Sequence, residues 1–195
     1  MPTTSPSIRD RAREAVRLEV QQQAWALFAE HGYEATTVDA IAAAAGMSRR
    51  TFFRYFQSKD DLILARMVES GEEMIAALRA QPETLAAWPA LRAAFQVIID
   101  RQVSSPARSR RLQLMLRDEP AARATVEEWR RRWTVLLRPV VAERLTDGRL
   151  DLMAEAIVRS ALECLEAAQE TWAGEPTADL SALVDEAMGA VAAIR

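Results

Sequence analysis

The residues best suited to binding a partner lie between Met47 and Lys59. This segment has basic side chains at positions 49, 50, 54 and 59 and no Asp or Glu. Adjacent arginines such as Arg49 and Arg50 present planar guanidinium forks, each able to donate to two acceptor atoms of guanine or phosphate. Residues 1–59 hold eight basic and six acidic side chains, whereas the rest of the chain holds seventeen and 22. A short basic segment therefore lies on an otherwise acidic chain, which favours a polyanionic partner.

The sequence lacks the residues and motifs of disulfide, zinc and common catalytic sites. Cys164 is the only cysteine and His31 the only histidine, so neither an internal disulfide nor a Cys/His zinc site can form. The sequence has no GxxxxGK, HExxH or GxSxG motif. We therefore predict a protein that is not an enzyme, with no metal and no cofactor. Two alternatives stay open: acidic side chains that converge in space to form an enzyme site, and a purely structural helical scaffold.

The distribution of charged and apolar residues also indicates whether the chain enters or crosses a membrane. The longest stretch without a charged residue is Val20–Ala29, ten residues, and a membrane-spanning helix needs about 20. The first residues, MPTTSPSIRDRAR, lack the apolar core of a signal peptide. We therefore expect a cytoplasmic protein without a membrane partner.

Glycine and proline positions divide the chain into segments of helical periodicity. No β-alternation of useful length interrupts them, so the predicted fold class is all-α with about nine helices. The predicted helices cover residues 9–31, 38–45, 49–55, 60–80, 85–103, 107–116, 121–146, 150–172 and 179–194.

The second and third of these helices have the dimensions of a helix-turn-helix. Thr37 and Ser48 can cap their first turns, and a tight turn at residues 45–47 joins them. In such a motif the second helix lies in the major groove of DNA and its first residues contact base edges. Arg49 and Arg50 occupy those positions. Phe52 and Phe56, four residues apart, are predicted to fasten this helix to the first one.

Residues 24–62, AWALFAEHGYEATTVDAIAAAAGMSRRTFFRYFQSKDDL, resemble the N-terminal signature of TetR-type (tetracycline-repressor-like) bacterial transcription regulators. The shorter run SRRTFFRYF resembles regulators linked to the mycofactocin system. The resemblance implies an all-helical homodimer, with a helix-turn-helix DNA-binding domain at 1–58 and a helical effector-binding and dimerisation domain at 59–195. It also implies a ligand-responsive repressor on a palindromic operator, with activation as the alternative.

Two positions depart from that signature. Arg50 stands where a small residue is more common, and Phe53 replaces a frequent tyrosine. Arg54 has two interpretations, a DNA contact or a solvated side chain. The predicted contacts to double-stranded DNA are Thr36, Thr37, Ser48, Arg49, Arg50, Thr51, Arg54, Tyr55 and Lys59.

The resemblance implies a small-molecule cavity between the fourth and eighth helices. Trp129 and Trp133 lie four residues apart on one helix face and belong either to the core or to this cavity. An apolar or aromatic effector is the first expectation, and an acyl-CoA with its phosphates on ARSRR (107–111) is the second. We expect the fourth helix to transmit ligand binding to the DNA-binding domain. The predicted effector residues are Met74, Leu78, Trp88, Phe95, Leu112, Met115, Leu116, Trp129 and Trp133.

The last two helices have broad apolar stripes, which predict a four-helix interface with a second copy of the chain. The alternative is that these stripes pack only within their own domain. The predicted interface residues are Leu162, Leu165, Trp172, Leu180, Val184, Ala187, Met188 and Val191.

Overall fold

A computed structural model describes residues 7–194, and all regular secondary structure in that range is helical. This confirms the predicted all-α fold class. No helix within the same range is both long enough and apolar enough to cross a bilayer. The described helices are α1 (Ile8–His31), α2 (Val38–Ala44), α3 (Arg49–Phe52), α4 (Asp60–Arg79), α5 (Ala87–Ala94), α6 (Gln96–Val103), α7 (Pro106–Asp118), α8 (Pro120–Ala142), α9 (Leu150–Gly174) and α10 (Leu180–Ala192).

These ten helices, one more than predicted, arise because the segment 85–103 is divided at Phe95. The amides of Ile98 and Ile99 both bond to the Phe95 carbonyl oxygen, at 3.0 and 3.1 Å. The Phe95 side chain is fully buried. No glycine or proline marks this break in the sequence, so it follows from packing rather than from local propensity.

The third helix is shorter than predicted. It forms a single turn, Arg49–Phe52, instead of reaching Tyr55. The amides of Arg54 and Tyr55 bond three residues back rather than four, which tightens the chain after the helix. Ser48 begins the helix as predicted, because its hydroxyl accepts a hydrogen bond from the first turn.

One hydrophobic core joins α1, α2, α3 and the start of α4. Phe52 and Phe56 are buried in it with ring centroids 5.6 Å apart, which confirms their predicted packing role. The core continues into Met115, Ala122 and Val126 of α7 and α8. We refer to residues 7–58 as the head and to residues 59–194 as the body. Because the core crosses residue 58, the domain boundary there stays a prediction.

The second core fills the body and corrects the predicted dimer contacts. Here α9 and α10 pack on each other and on neighbouring helices of the same chain. Ala187 is half-buried and Val191 is exposed. The prediction is wrong for the other six residues, because their side chains are buried within one chain and cannot contact another: Leu162, Leu165, Trp172, Leu180, Val184 and Met188.

Candidate functional site

The turn between α2 and α3 sets the direction of the basic segment. Gly46 has a φ of +65°, a conformation that residues with a Cβ rarely adopt. The hydroxyl oxygens of Thr37 and Ser48 accept hydrogen bonds from the amides of Ala40 and Thr51, each at 3.1 Å. Both predicted caps are therefore confirmed, and α3 starts at a fixed place relative to α2.

The two arginines at the start of α3 are exposed but differ in their surroundings. Arg49 donates to the carboxylate of Asp39 at 2.8 Å, and its guanidinium lies 5.4 Å from the Phe53 ring centroid. The Arg50 side chain forms no hydrogen bond or ion pair with any residue from 7 to 194. Arg50 can therefore turn freely towards an added partner, whereas Arg49 is already oriented by an exposed and weak ion pair.

Lys59 and Thr36 have bonding partners within the chain. The Lys59 ammonium donates to the carbonyl oxygens of Tyr33, Glu34 and Thr36, at 2.7, 3.3 and 3.4 Å. Thr36 is 3% exposed, and its hydroxyl donates to the Gly32 carbonyl oxygen at 2.7 Å. A buried hydroxyl cannot bind a phosphate, so the predicted contact from the Thr36 side chain is corrected. Both side chains instead hold the turn between α1 and α2.

The segment after α3 is attached to α1 by a residue that sequence reasoning missed. Arg17 donates to the Tyr55 carbonyl oxygen at 2.9 Å, and its guanidinium lies 4.7 Å from the Phe56 ring centroid. Arg54 is exposed and lies 6.0 Å from the Tyr55 ring centroid, which leaves both of its interpretations open. Tyr55 is half-buried. No local pattern points to Arg17, because its partners lie far along the chain.

Glu119, between α7 and α8, ties the body to the head. Its carboxylate oxygens accept hydrogen bonds from the amides of Tyr33 and Glu34, at 2.8 and 2.7 Å. A Cβ at Gly32 would lie only 2.7 Å from the Glu119 carboxylate. The Tyr33 hydroxyl donates to Asp60, and burial together with that bond raises the pKa of Tyr33. The turn after α1 is thus held by Glu119, between α7 and α8, and by Asp60 at the start of α4.

A cavity of about 360 Å³ lies where α1, α4, α6, α7, α8 and α9 meet. That volume is within the range of small-molecule sites. Gln21 and Trp25 of α1 line it together with Met67 of α4 and Leu162 of α9. The contribution of α1 was not predicted, because periodicity shows which face of a helix is buried but not whether it faces a neighbour or a space.

Three of the nine predicted effector residues line this cavity: Leu112, Leu116 and Trp133. The other six do not, which corrects the prediction. Phe95 is fully buried in the body core, as are Met74 and Leu78 of α4. The Trp88 indole donates to the Met188 carbonyl oxygen at 3.2 Å. The six residues outside the cavity lining are Met74, Leu78, Trp88, Phe95, Met115 and Trp129.

The three arginines of the run 107–111 have separate environments. Arg108 lines the cavity. Arg110 donates to the carbonyl oxygens of Trp172, Glu175 and Ala178, and therefore closes the end of α9. Arg111 is exposed. Of these three arginines, only Arg108 is placed to bind a ligand in the cavity.

Trp133 brings α4 and α8 into close contact beside the cavity. Its indole donates to the Met67 carbonyl oxygen at 2.8 Å. A Cβ at Gly71 would lie 2.7 Å from the Trp133 indole nitrogen, so only glycine allows this approach. The Trp133 side chain is 5% exposed and also lines the cavity. It therefore belongs both to the core and to the cavity wall, the two alternatives that the sequence left open.

A capped α3 with exposed arginines, set behind α2 by a tight turn, defines a helix-turn-helix DNA-binding protein. Residues 22–65 match the family profile described as "Bacterial regulatory proteins, tetR family", and residues 85–195 match the "MftR C-terminal domain". The chain therefore belongs to the tetR family and is a DNA-binding transcriptional regulator.

Individual relatives agree with this assignment. The regulator MftR of Mycobacterium tuberculosis is 27% identical over 180 residues, which are 92% of this chain and 89% of MftR. The HTH-type transcriptional regulator TcmR of Streptomyces glaucescens is 35% identical over 96 residues, 49% of this chain but only 42% of TcmR. The structure of FadR from Bacillus subtilis in complex with stearoyl-CoA has the same fold, with a TM-score of 0.67, 19% identity and coverage of 91% and 99% of the two chains.

Proposed function

We propose that this protein is a ligand-responsive repressor that binds a palindromic operator as a homodimer and dissociates when a small molecule fills the cavity. The observation that carries the proposal is the exposed pair Arg49 and Arg50 on the first turn of a capped helix. In this account residues 1–58 read DNA, and residues 59–195 dimerise and bind the effector. The protein acts in the cytoplasm and catalyses no reaction.

In the DNA complex, α3 enters the major groove. Arg50 contacts base edges because no other described residue engages its guanidinium, and Arg49 joins it after exchanging Asp39 for a base or phosphate. The backbone contacts come from the hydroxyl groups around the helix start and from Tyr55, as predicted for Thr37, Ser48 and Thr51. A two-fold dimer would place its two α3 helices about 34–36 Å apart, one turn of DNA.

The dimer surface is proposed on the outward faces of α9 and α10. These faces expose Leu152 (62%) and Val191 (37%). The exposed residues Gly189 and Ala190 of α10, and Ala193 directly after it, are small enough to let a second helix approach. Replacing the buried Val184 or Met188 would disrupt the fold and cannot test this surface.

Ala190→Arg tests the dimer surface without disturbing the core, because Ala190 is exposed. We expect a monomer by sedimentation and loss of operator binding. Ala76→Arg, at an alanine on α4 that is also exposed, is the matched control and should remain dimeric. An intact dimer in Ala190→Arg would place the interface elsewhere.

The effector is proposed to be a molecule with a substantial apolar part. An acyl-CoA is supported by the shared fold with the stearoyl-CoA-bound FadR of Bacillus subtilis and by Arg108 in the cavity wall. An apolar or aromatic molecule is the second candidate, favoured by Trp25 and Trp133 in the same wall. In both cases the ligand lies between α4 and α8 and against α1.

DNA reading is tested by selecting duplexes from a random library with the full-length protein and measuring their binding by fluorescence anisotropy. We expect a palindromic consensus and an affinity that falls steeply as salt concentration rises. Binding without sequence preference would contradict the proposed function.

A further inference from the structure

Buried polar atoms without partners gather around the cavity. Four buried side-chain nitrogen or oxygen atoms in the described residues have no hydrogen-bond partner. Three of them belong to residues that line the cavity: Nε1 of Trp25, Oε1 of Gln102 and Nε of Arg108. Proteins rarely leave such atoms unpaired, so their concentration at one space indicates that a polar group binds there. Two of the three are donors, which favours an acceptor-rich group.

The same wall has an excess of positive charge. Arg66, Arg101, Arg108 and Arg130 line the cavity, and Glu69 is the single acidic residue among the described lining residues. Arg130 pairs with a glutamate on α9, and Arg101 pairs with one on α4. Arg66 lies 3.3 Å from the Glu69 carboxylate. The cavity is therefore basic even after these ion pairs are counted.

Arg108 is the least neutralised of the four. Its Nη2 atom donates to the Gln22 carbonyl oxygen at 3.1 Å, and it forms no ion pair within residues 7–194. Burial lowers the pKa of Arg108, and the charge of Arg66 lowers it further. Burial and the same Arg66 charge lower the pKa of Arg101 to about 10. The Arg66 guanidinium on α4 thus lies close enough to repel both Arg101 on α6 and Arg108 on α7. An anion between them would relieve that repulsion.

We infer that the cavity binds an amphipathic organic anion, whose carboxylate or phosphate group lies among Arg66, Arg101 and Arg108. The indole N–H of Trp25 supplies a further donor to the anion. The apolar part of the ligand extends along Ile98 and Leu162, which line the same space. This inference rests on the proposed effector role of the cavity. It goes further by assigning the ligand's charge and the residues that receive it.

Calorimetry with the full-length protein, without DNA, tests the inference. The probes are decanoate, decanoyl-CoA, coenzyme A alone and the neutral decan-1-ol. We expect at least one of the two acyl anions to bind about tenfold or more tightly than decanol. If decanoate binds, the site is assigned to a fatty carboxylate. If decanoyl-CoA binds and decanoate does not, the site is assigned to the CoA phosphates. Equal binding of decanol and both acyl anions would overturn the inference.

Arg108→Gln should weaken the acyl anion about tenfold or more and leave decanol unaffected. Arg111→Gln removes the same charge from an exposed position on α7 and should change neither ligand. Arg108→Lys, which keeps the charge, should retain part of the affinity. It replaces Arg108→Gln in the comparison if the glutamine variant does not fold. Equal loss in the Arg108 and Arg111 variants would show a general effect of net charge and would overturn the assignment. Operator binding, measured separately, reports on the proposed function independently.

Discussion

The turn between α1 and α2, which Lys59 holds, and the cavity wall that contains Arg108 differ in how their cations are satisfied. Lys59 donates to three carbonyl oxygens of its own chain and lies 4.2 Å from the Tyr33 ring centroid. Arg108 has one backbone acceptor, no ion pair within the described residues and an unpartnered Nε atom. The contacts of Lys59 therefore fix one conformation of the turn in the head. The cavity keeps polar groups available for a ligand.

Two helices connect these regions. In α1, Arg17 bonds to the segment after α3 while Gln21 and Trp25 line the cavity. In α4, Asp60 accepts from the Tyr33 hydroxyl while Arg66 lines the cavity. A ligand that displaces either helix would therefore shift residues that contact the head. We therefore propose that α1, as well as α4, transmits ligand binding to the DNA-binding domain.

The largest effect is expected from Lys59→Met. Loss of the ammonium leaves three carbonyl oxygens without their shared donor, and we expect the free energy of unfolding to fall by about 3 kcal/mol. Thermal unfolding followed by circular dichroism measures this loss. Arg54→Met, at an exposed position in the same segment, should have little effect. A pure phosphate contact at Lys59 predicts the opposite pattern, with weaker DNA binding and unchanged stability.

Arg50→Ala should leave stability unchanged and cost about 1–3 kcal/mol of operator binding, with relaxed base preference. The reason is that the exposed Arg50 side chain forms no hydrogen bond or ion pair within residues 7–194 and is free to contact bases. Anisotropy with the selected operator and with variants at each base pair measures both effects. Arg79→Ala removes an exposed charge at the far end of α4 and is the control. Unchanged specificity in Arg50→Ala would exclude it from base reading.

A smaller effect is expected from Glu119→Ala. The amides of Tyr33 and Glu34 would lose their acceptor, at a cost of about 1 kcal/mol in operator binding as the head loosens from the body. Hydrogen exchange at these two amides should become faster. Glu143→Ala, exposed just after the other end of α8, should alter neither quantity. Unchanged exchange would show that Glu119 does not hold the turn in solution.

Local chemistry made the head predictable from the sequence. The Ser48 cap and the packing of Phe52 and Phe56 depend on residues at most four positions apart, and both were predicted correctly. The bonds made by Arg17 and Glu119 were not predicted, because their partners lie 38 and 86 residues away along the chain. No local rule specifies such pairs.

The body was predictable as a set of helices but not as a binding site. Phe95 was expected at the cavity and lies in the core, whereas Trp133 was expected there and does line it. Both have the same helical spacing of apolar neighbours. Only the assembled packing decides whether an inward side chain contacts another residue or a space.

Reciprocal linkage between the cavity and the operator tests the central claim most directly. Operator affinity is measured with and without a saturating concentration of whichever acyl anion binds, and the affinity for that anion is measured with and without operator. We predict that each ligand weakens the other by the same factor, about 5- to 150-fold. An anion that saturates the cavity by calorimetry and leaves operator affinity unchanged would contradict the account.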